Sequence, residues 1–236
     1  MIRLVVLLVA LSGLAAPATL FATHFRQGEI RWRVPDPTNA PLTVEFEVRV
    51  AWRSSFIDTV TLNFGDGGSI AFPPGTSAGG GTDTAGNPYS IIEYTTTHTY
   101  ASASMFTAYF SSCCRMSSLV NAADDAFRVE SRVDLSSGNT FPPLTVAAPM
   151  IPMQIGGYRS LLLPTLDGDG VPVTCRFATA MEMGDSTTLN PPQIPSGQFL
   201  TLSITTSPPG CLLTWNTAPA VAGQSYAVQV VVESTN

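Results

Sequence analysis

The chain of 236 residues carries 17 acidic and 11 basic side chains, a net charge of −6, and only 12% charged residues against about 25% in an average soluble domain. All 11 basic residues are Arg, which excludes a P-loop, a Lys Schiff base and Lys general-base catalysis. An acidic chain without a basic run is also a poor nucleic-acid binder.

Met1, Ile2 and Arg3 precede an apolar run from Leu4 to Ala16. A charged start, an apolar core and small residues at its end predict a secretory signal peptide over residues 1–22. Cleavage is expected at Ala16-Pro17-Ala18 or after Ala22. Ser12, Gly13, Pro17 and Thr19 interrupt the run and argue against an uncleaved anchor, and no later stretch approaches the ~20 apolar residues of a spanning helix. Loss of Arg3 leaves ten Arg against 17 acids, a mature charge of −7. The remaining length suits one large or two small domains.

Beyond the leader the hydrophobic period is two. Leu42, Val44, Phe46, Val48 and Val50 alternate with polar residues, the pattern of a strand with one buried and one wet face. Val60, Leu62 and Phe64 repeat it. A Gly-, Ser- and Thr-rich stretch from Pro73 to Pro88 reads as a long loop. Phe127, Val129, Val133 and Leu135 form a further strand, and residues 118–127 could hold one short helical turn. Ser136 to Pro152 contains turn residues and four prolines, which predicts a linker over 138–152. After it, Val171, Val173, Cys175 and Phe177, then Leu200, Leu202 and Ile204, then Tyr226, Val228, Val230 and Val232 alternate again. Many short strands between Gly, Pro, Asn and Asp predict an all-β protein of two consecutive immunoglobulin-like β-sandwich domains, residues 23–137 and 153–236.

Asn63-Phe64-Gly65-Asp66-Gly67 and, later, His98-Thr99-Tyr100 resemble the signature of the polycystic-kidney-disease (PKD) domain, an extracellular β-sandwich. The resemblance covers residues 24–135; Asn63 stands where the family usually has Asp, and the insertion between the motifs is long. It implies structural roles for Asn63, Phe64, Gly65, Asp66, Gly67, His98 and Tyr100. In the second half Leu166-Asp167-Gly168-Asp169-Gly170, Leu213-Thr214-Trp215 and Tyr226-Ala227-Val228-Gln229-Val230 resemble cadherin-like and bacterial immunoglobulin-like repeats.

Asp167 and Asp169 lie two apart. In an extended segment both carboxylates fall on one face and could meet a Ca²⁺ ion, and Asp-Gly is equally a strong turn former. An EF-hand is excluded, because Ala178 stands where the loop requires Glu. Asp66 between two glycines implies a turn in which the side chain bonds its own backbone. With His24 and His98 alone, no His-rich metal site can form. Four cysteines in an exported chain favour disulfides over zinc, since the paired C-x-x-C spacing is missing. Cys175 with Cys211 is the favoured pair. Cys113 and Cys114 either join each other or seek partners elsewhere. Gly75-Thr76-Ser77-Ala78-Gly79 satisfies G-x-S-x-G, with Asp83 and His98 following in hydrolase order. Its flanks, Pro73-Pro74 and Gly80-Gly81, cannot supply the strand and helix that a nucleophile elbow needs. Of Trp32, Trp52 and Trp215, Trp52 shares a strand face with Val48 and Val50, Trp215 is expected to plug the second sandwich, and Trp32 is the best surface candidate.

The two resemblances imply a secreted or cell-surface, non-enzymatic module that binds an extracellular protein or polysaccharide. Accessory or spacer domains of a larger secreted hydrolase or surface protein are the alternative. Calcium is the single cofactor in question.

Overall fold

Val44, Phe46, Val48 and Val50 point to one side of their strand and are fully buried, while Glu45, Glu47 and Arg49 stay at the surface on the other side. That alternation organises the whole first half. The computed structural model describes residues 24–83, 86–184, 193–194, 198–206 and 208–234; the expected leader lies outside the described residues. The first half contains β1 (Phe25–Arg33), β2 (Thr43–Arg53), β3 (Val60–Asn63), β4 (Ser69–Phe72), β5 (Gly79–Thr82), β6 (Pro88–Thr99), β7 (Met105–Ser112) and β8 (Phe127–Asp134). They form two antiparallel sheets, ordered β1-β2-β6-β5 and β4-β3-β7-β8. Between the sheets lies one apolar core that includes Trp32, Phe46, Trp52, Leu62, Ile92, Tyr100, Phe110 and Phe127. Phe25 stacks on Phe127 at 3.7 Å between centroids, with Trp52 set edge-on to both rings.

The second half contains β9 (Pro143–Thr145), β10 (Tyr158–Asp167), β11 (Val173–Phe177), a 3-10 turn (Met181–Met183), β12 (Gln193–Ile194), β13 (Gln198–Phe199), β14 (Thr201–Thr206), β15 (Pro209–Asn216) and β16 (Val230–Ser234). A sheet ordered β14-β15-β10-β9 faces a two-stranded β11-β16 sheet. The core between them is small: Leu163, Leu200, Cys211 and Leu213, with Cys175, Phe177, Trp215, Val230 and Val232 packed against it. The protein is all-β, as the period of two predicts, with several antiparallel sheets.

Five local expectations are corrected. The expected long loop from Pro73 to Pro88 contains strand β5, whose Gly79–Thr82 pair antiparallel with the start of β6. Residues 118–127 form turns rather than a helical turn, because Val120 and Asn121 bond across to the second half. Tyr226 to Gln229 lie outside any strand: Ala227 N–H donates to Asn121 Oδ1, and the Gln229 carbonyl accepts from Ala178 N–H. Ile204 sits on the edge strand β14 and is 41% exposed. Within the expected linker, Pro143–Thr145 forms strand β9 against the end of β10.

Candidate functional site

The strand β3 ends at Asn63, and the chain must reverse at once into β4. Gly65 does this at φ +89, where a Cβ would lie 2.5 Å from the Thr107 carbonyl oxygen, so only glycine fits. Asp66 then folds back, its Oδ1 accepting from Gly68 N–H at 2.9 Å. His98, at the far end of β6, places Nε2 2.7 Å from Asp66 Oδ2. An ionised carboxylate can only accept, so Nε2 carries the proton. Burial pushes the Asp66 carboxyl up, but the bonds from His98 and Gly68 outweigh it and hold the group below the ordinary carboxylate value. The His98 ring stacks flat on Phe64 at 4.0 Å and stands edge-on to Tyr100. Tyr100 donates its hydroxyl to the Phe64 carbonyl at 2.9 Å, and burial keeps that phenol protonated far above its usual range. One corner thus brings together Phe64, Gly65, Asp66, His98 and Tyr100, residues up to 36 positions apart.

The Asp167 and Asp169 turn is built differently. Asp167 is buried; its Oδ1 accepts from Asp169 N–H at 2.9 Å and Val171 N–H at 3.3 Å, and its Oδ2 from the Ser234 hydroxyl at 2.6 Å. Asp169 faces the opposite partner. Its Oδ1 accepts from the Thr140 hydroxyl at 2.6 Å, and its Oδ2 from the Thr140 and Phe141 amides at 2.9 and 3.2 Å. Burial raises the Asp169 carboxyl, and these three donors more than offset it. Each carboxylate is therefore committed to protein donors, one tying β16 to the turn and the other gripping the linker. Among the described residues no three acidic, His or Cys side chains converge on one point.

Cys175 on β11 is bonded to Cys211 on β15, which staples the two sheets of the second half together. Cys113 and Cys114 are bonded to each other across a cis peptide. They open the loop 113–126, which is the joint between the halves. Arg115, 5% exposed, donates to the Met183 carbonyl at 3.3 Å and to Gln229 Oε1 at 3.4 Å. Burial lowers its guanidinium to about 10, with Asp125 opposing, so it is charged at neutral pH. Asn121 makes a reciprocal pair with Ala227, each bond 2.9 Å. Gln229 Nε2 donates to the Arg128 and Glu182 carbonyls at 3.1 and 2.8 Å. Beside the joint lies a cleft of about 950 Å³, lined by β1 and β8, the linker, and second-half residues such as Trp215 and Val230. That volume is at the upper end of the ~300–1,000 Å³ usual for ligand clefts.

The hydrolase-ordered residues are not brought together. Asp83 pairs with buried Arg26 at 3.2 Å and holds Asn87, while His98 belongs to Asp66. Trp32, the best of the three tryptophans for a surface role by sequence, is 3% exposed and donates Nε1–H to the Arg132 carbonyl at 2.9 Å. Trp52 is buried in the first core, and Trp215 packs edge-on to Tyr226 beside the second. Arg115, Asn121 and Gln229 were not singled out by sequence. The one available signal was an Arg directly after two adjacent cysteines.

Residues 26–136, essentially the first sandwich, match the family model described as integrin beta-like protein A-E, N-terminal. No PKD or cadherin family is matched. Integrin beta-like protein C of Dictyostelium discoideum is 32% identical over 138 residues, and integrin beta-like protein B of the same organism is 27% identical over 146. These alignments cover 50% and 55% of this chain but only 7% of each relative's length. No solved structure matches. The family match therefore lies in the first half of the chain.

Proposed function

We propose that this chain is a secreted or cell-surface adhesion module that binds an extracellular protein or polysaccharide without catalysis. The observation that carries the reading is the similarity of residues 26–136 to the N-terminal region of integrin beta-like proteins. Two features of the chain support it. Ser77, Asp83 and His98 have separate partners, and the polar side chains of the Gly-Asp-Gly corner are committed to the turn itself. The loop 113–126 and the cleft beside the joint offer the binding surface, in keeping with the placement of binding residues on loops over a rigid scaffold. The PKD-like reading of the first sandwich rests on the corner from Asn63 to Gly67 with His98 and Tyr100, and the cadherin-like reading of the second on its Asp-Gly turn and inter-sheet packing. The relatives are far longer than the matched region, which favours a module within a larger surface assembly.

The test is retention of the chain, exported through an oxidising compartment, on a panel of insoluble polysaccharides and whole cells, with Ca²⁺ in one arm and EDTA in the other. Retention on one polymer or cell type supports a binding module. Loss of that retention in EDTA, reproduced by Asp169→Asn with Ca²⁺ present, would assign a calcium role to Asp167 and Asp169. No retention in either arm overturns the binding reading and leaves a spacer.

A further inference from the structure

The two disulfides play different parts. Cys175–Cys211 closes a separation of 36 residues and joins facing sheets, a link that removes freedom from the unfolded chain. Cys113–Cys114 joins neighbours. It ties no two elements together, and it excludes few unfolded conformations, since the effect of a cross-link grows with the loop it closes. Instead it closes a small ring through its own peptide, which fixes ψ of Cys113 and φ of Cys114 where β7 runs out into the loop 113–126.

That loop is held in an unfavourable shape. Ala122 at φ 63 and Asp124 at φ 57 occupy the left-handed region, which residues with a Cβ avoid and which persists where the surroundings impose it. Ala122 is buried. Arg115 draws the base of the loop closed: its amide donates to the Asp125 carbonyl at 2.9 Å and its Nε to the Ala126 carbonyl at 3.3 Å. The Cys113 sulfur lies 3.9 Å from the Asp124 carbonyl oxygen, and the Cys114 carbonyl accepts from Phe25 N–H at 3.4 Å. The disulfide therefore sits between the strained residues and β1. The residue directly after it, Arg115, reaches Met183 and Gln229 across the joint.

We propose that Cys113–Cys114 is a redox switch on the joint: an external dithiol opens it, the loop 113–126 relaxes, and the two halves uncouple. Access selects this bond over the other. Cys113 is exposed, whereas Cys211 is fully buried and Cys175 half-buried against the second core, and exchange requires a thiolate to reach a sulfur. The incoming thiolate attacks the Cys113 sulfur, and Cys114 leaves as a thiolate and takes up a proton. The second thiol of the reagent then attacks the reagent's own sulfur in the mixed disulfide and releases Cys113, which is protonated in turn. The protein's disulfide is reduced to two thiols and the dithiol is oxidised to a disulfide. With the ring open, ψ of Cys113 and φ of Cys114 turn freely. Arg115 is then no longer held in line with Met183 and Gln229, and Ala122 and Asp124 can leave the left-handed region. Reoxidation resets the joint.

The test is a titration of the exported, folded chain with dithiothreitol, read by alkylation with peptide mapping and by hydrogen exchange. Cys113 and Cys114 are expected to be alkylated at dithiol concentrations at least about tenfold below those that expose Cys175 and Cys211. At that point the amides of Phe25, Val120 and Ala227, which bond Cys114, Ser225 and Asn121, should exchange at least about tenfold faster. The amides of β2 and β6 should keep their protection, and reoxidation should restore the slow rates. Cys113→Ser with Cys114→Ser should show the fast rates without dithiol, and Cys175→Ala with Cys211→Ala should still respond to it. Where a variant does not fold, the titration of the parent decides. Three results overturn the proposal: alkylation of all four cysteines together, free thiols at Cys113 and Cys114 before any dithiol is added, or opening of the pair with the three amide rates unchanged. The outcome is independent of the binding panel, because it requires no ligand.

Discussion

At the scale of single residues the first half is held by a corner in which Asp66, His98 and Tyr100 each bond a named partner. Tyr100 is 2% exposed and its hydroxyl donates to the Phe64 carbonyl. Tyr100→Phe keeps the ring stacking but leaves that carbonyl without its donor, and the expected cost is about 1–3 kcal/mol in urea unfolding. Asp66 makes a prediction in pH. Its carboxyl is held below the ordinary value by His98 and Gly68 despite burial. A group depressed in the folded state stabilises fully above its unfolded value, near pH 4, and loses that contribution as pH falls through the folded value. The stability of the parent should therefore fall faster below pH 4 than that of Asp66→Asn; identical slopes would show that the carboxylate contributes nothing. This corner was legible in the sequence, because Gly-Asp-Gly and His-Thr-Tyr are local patterns with local causes. Trp32 was not. It alternates correctly with Ile30 on β1, yet its burial depends on Arg132, 100 positions away, offering a carbonyl to the indole N–H.

At the scale of elements, the second half is thin and depends on staples. Among the described residues four form the buried core between its sheets, and the β11-β16 sheet has two strands. The Cys175–Cys211 bond closes a separation of 36 residues between facing sheets. Replacing both with Ala is expected to cost about 2–5 kcal/mol, seen as earlier unfolding of the second half by hydrogen exchange while β2 and β6 keep their protection. Arg176 adds a polar staple, bonding Glu182 at 2.7 and 2.8 Å and Glu233 at 2.8 Å. The bond from Arg176 pulls Glu182 down to about 2 against burial, with Thr179 helping. Its stabilisation is thus complete above about pH 4.5 and drains away toward pH 2. Period-two alternation made most of these strands readable. It failed for Tyr226 to Gln229, which alternate like a strand and yet donate and accept across the joint instead.

At the scale of the whole molecule, the two halves are not beads on a Pro-rich string. Thr140 lies between them, its carbonyl accepting from Val34 N–H while its hydroxyl and amide serve Asp169. Gln27 donates to the Ala147 carbonyl, which fastens the linker along β1. The loop 113–126 then reaches over to Met183, Ala227 and Gln229. A composition shift can mark where a linker runs, but no local signal reveals that Asn121 and Ala227, 106 positions apart, bond each other, or that Gln229 reaches the Arg128 carbonyl. This joint is polar, and polar joints are sensitive in a specific way: truncating one partner strands the other in a buried site. Asn121→Ala with Gln229→Ala leaves the Ala227 amide and the Arg128 and Glu182 carbonyls without those bonds. If the joint couples the halves, the parent unfolds in one cooperative transition in urea. The double variant should then unfold in two, with the thinner second half melting first and the large core of the first half near its original midpoint. A single, uniformly shifted transition in the variant would mean that the linker and β9, rather than the 113–126 loop, carry the coupling. Asp169→Asn, which weakens the grip on Thr140 and Phe141, would then be the substitution that splits it.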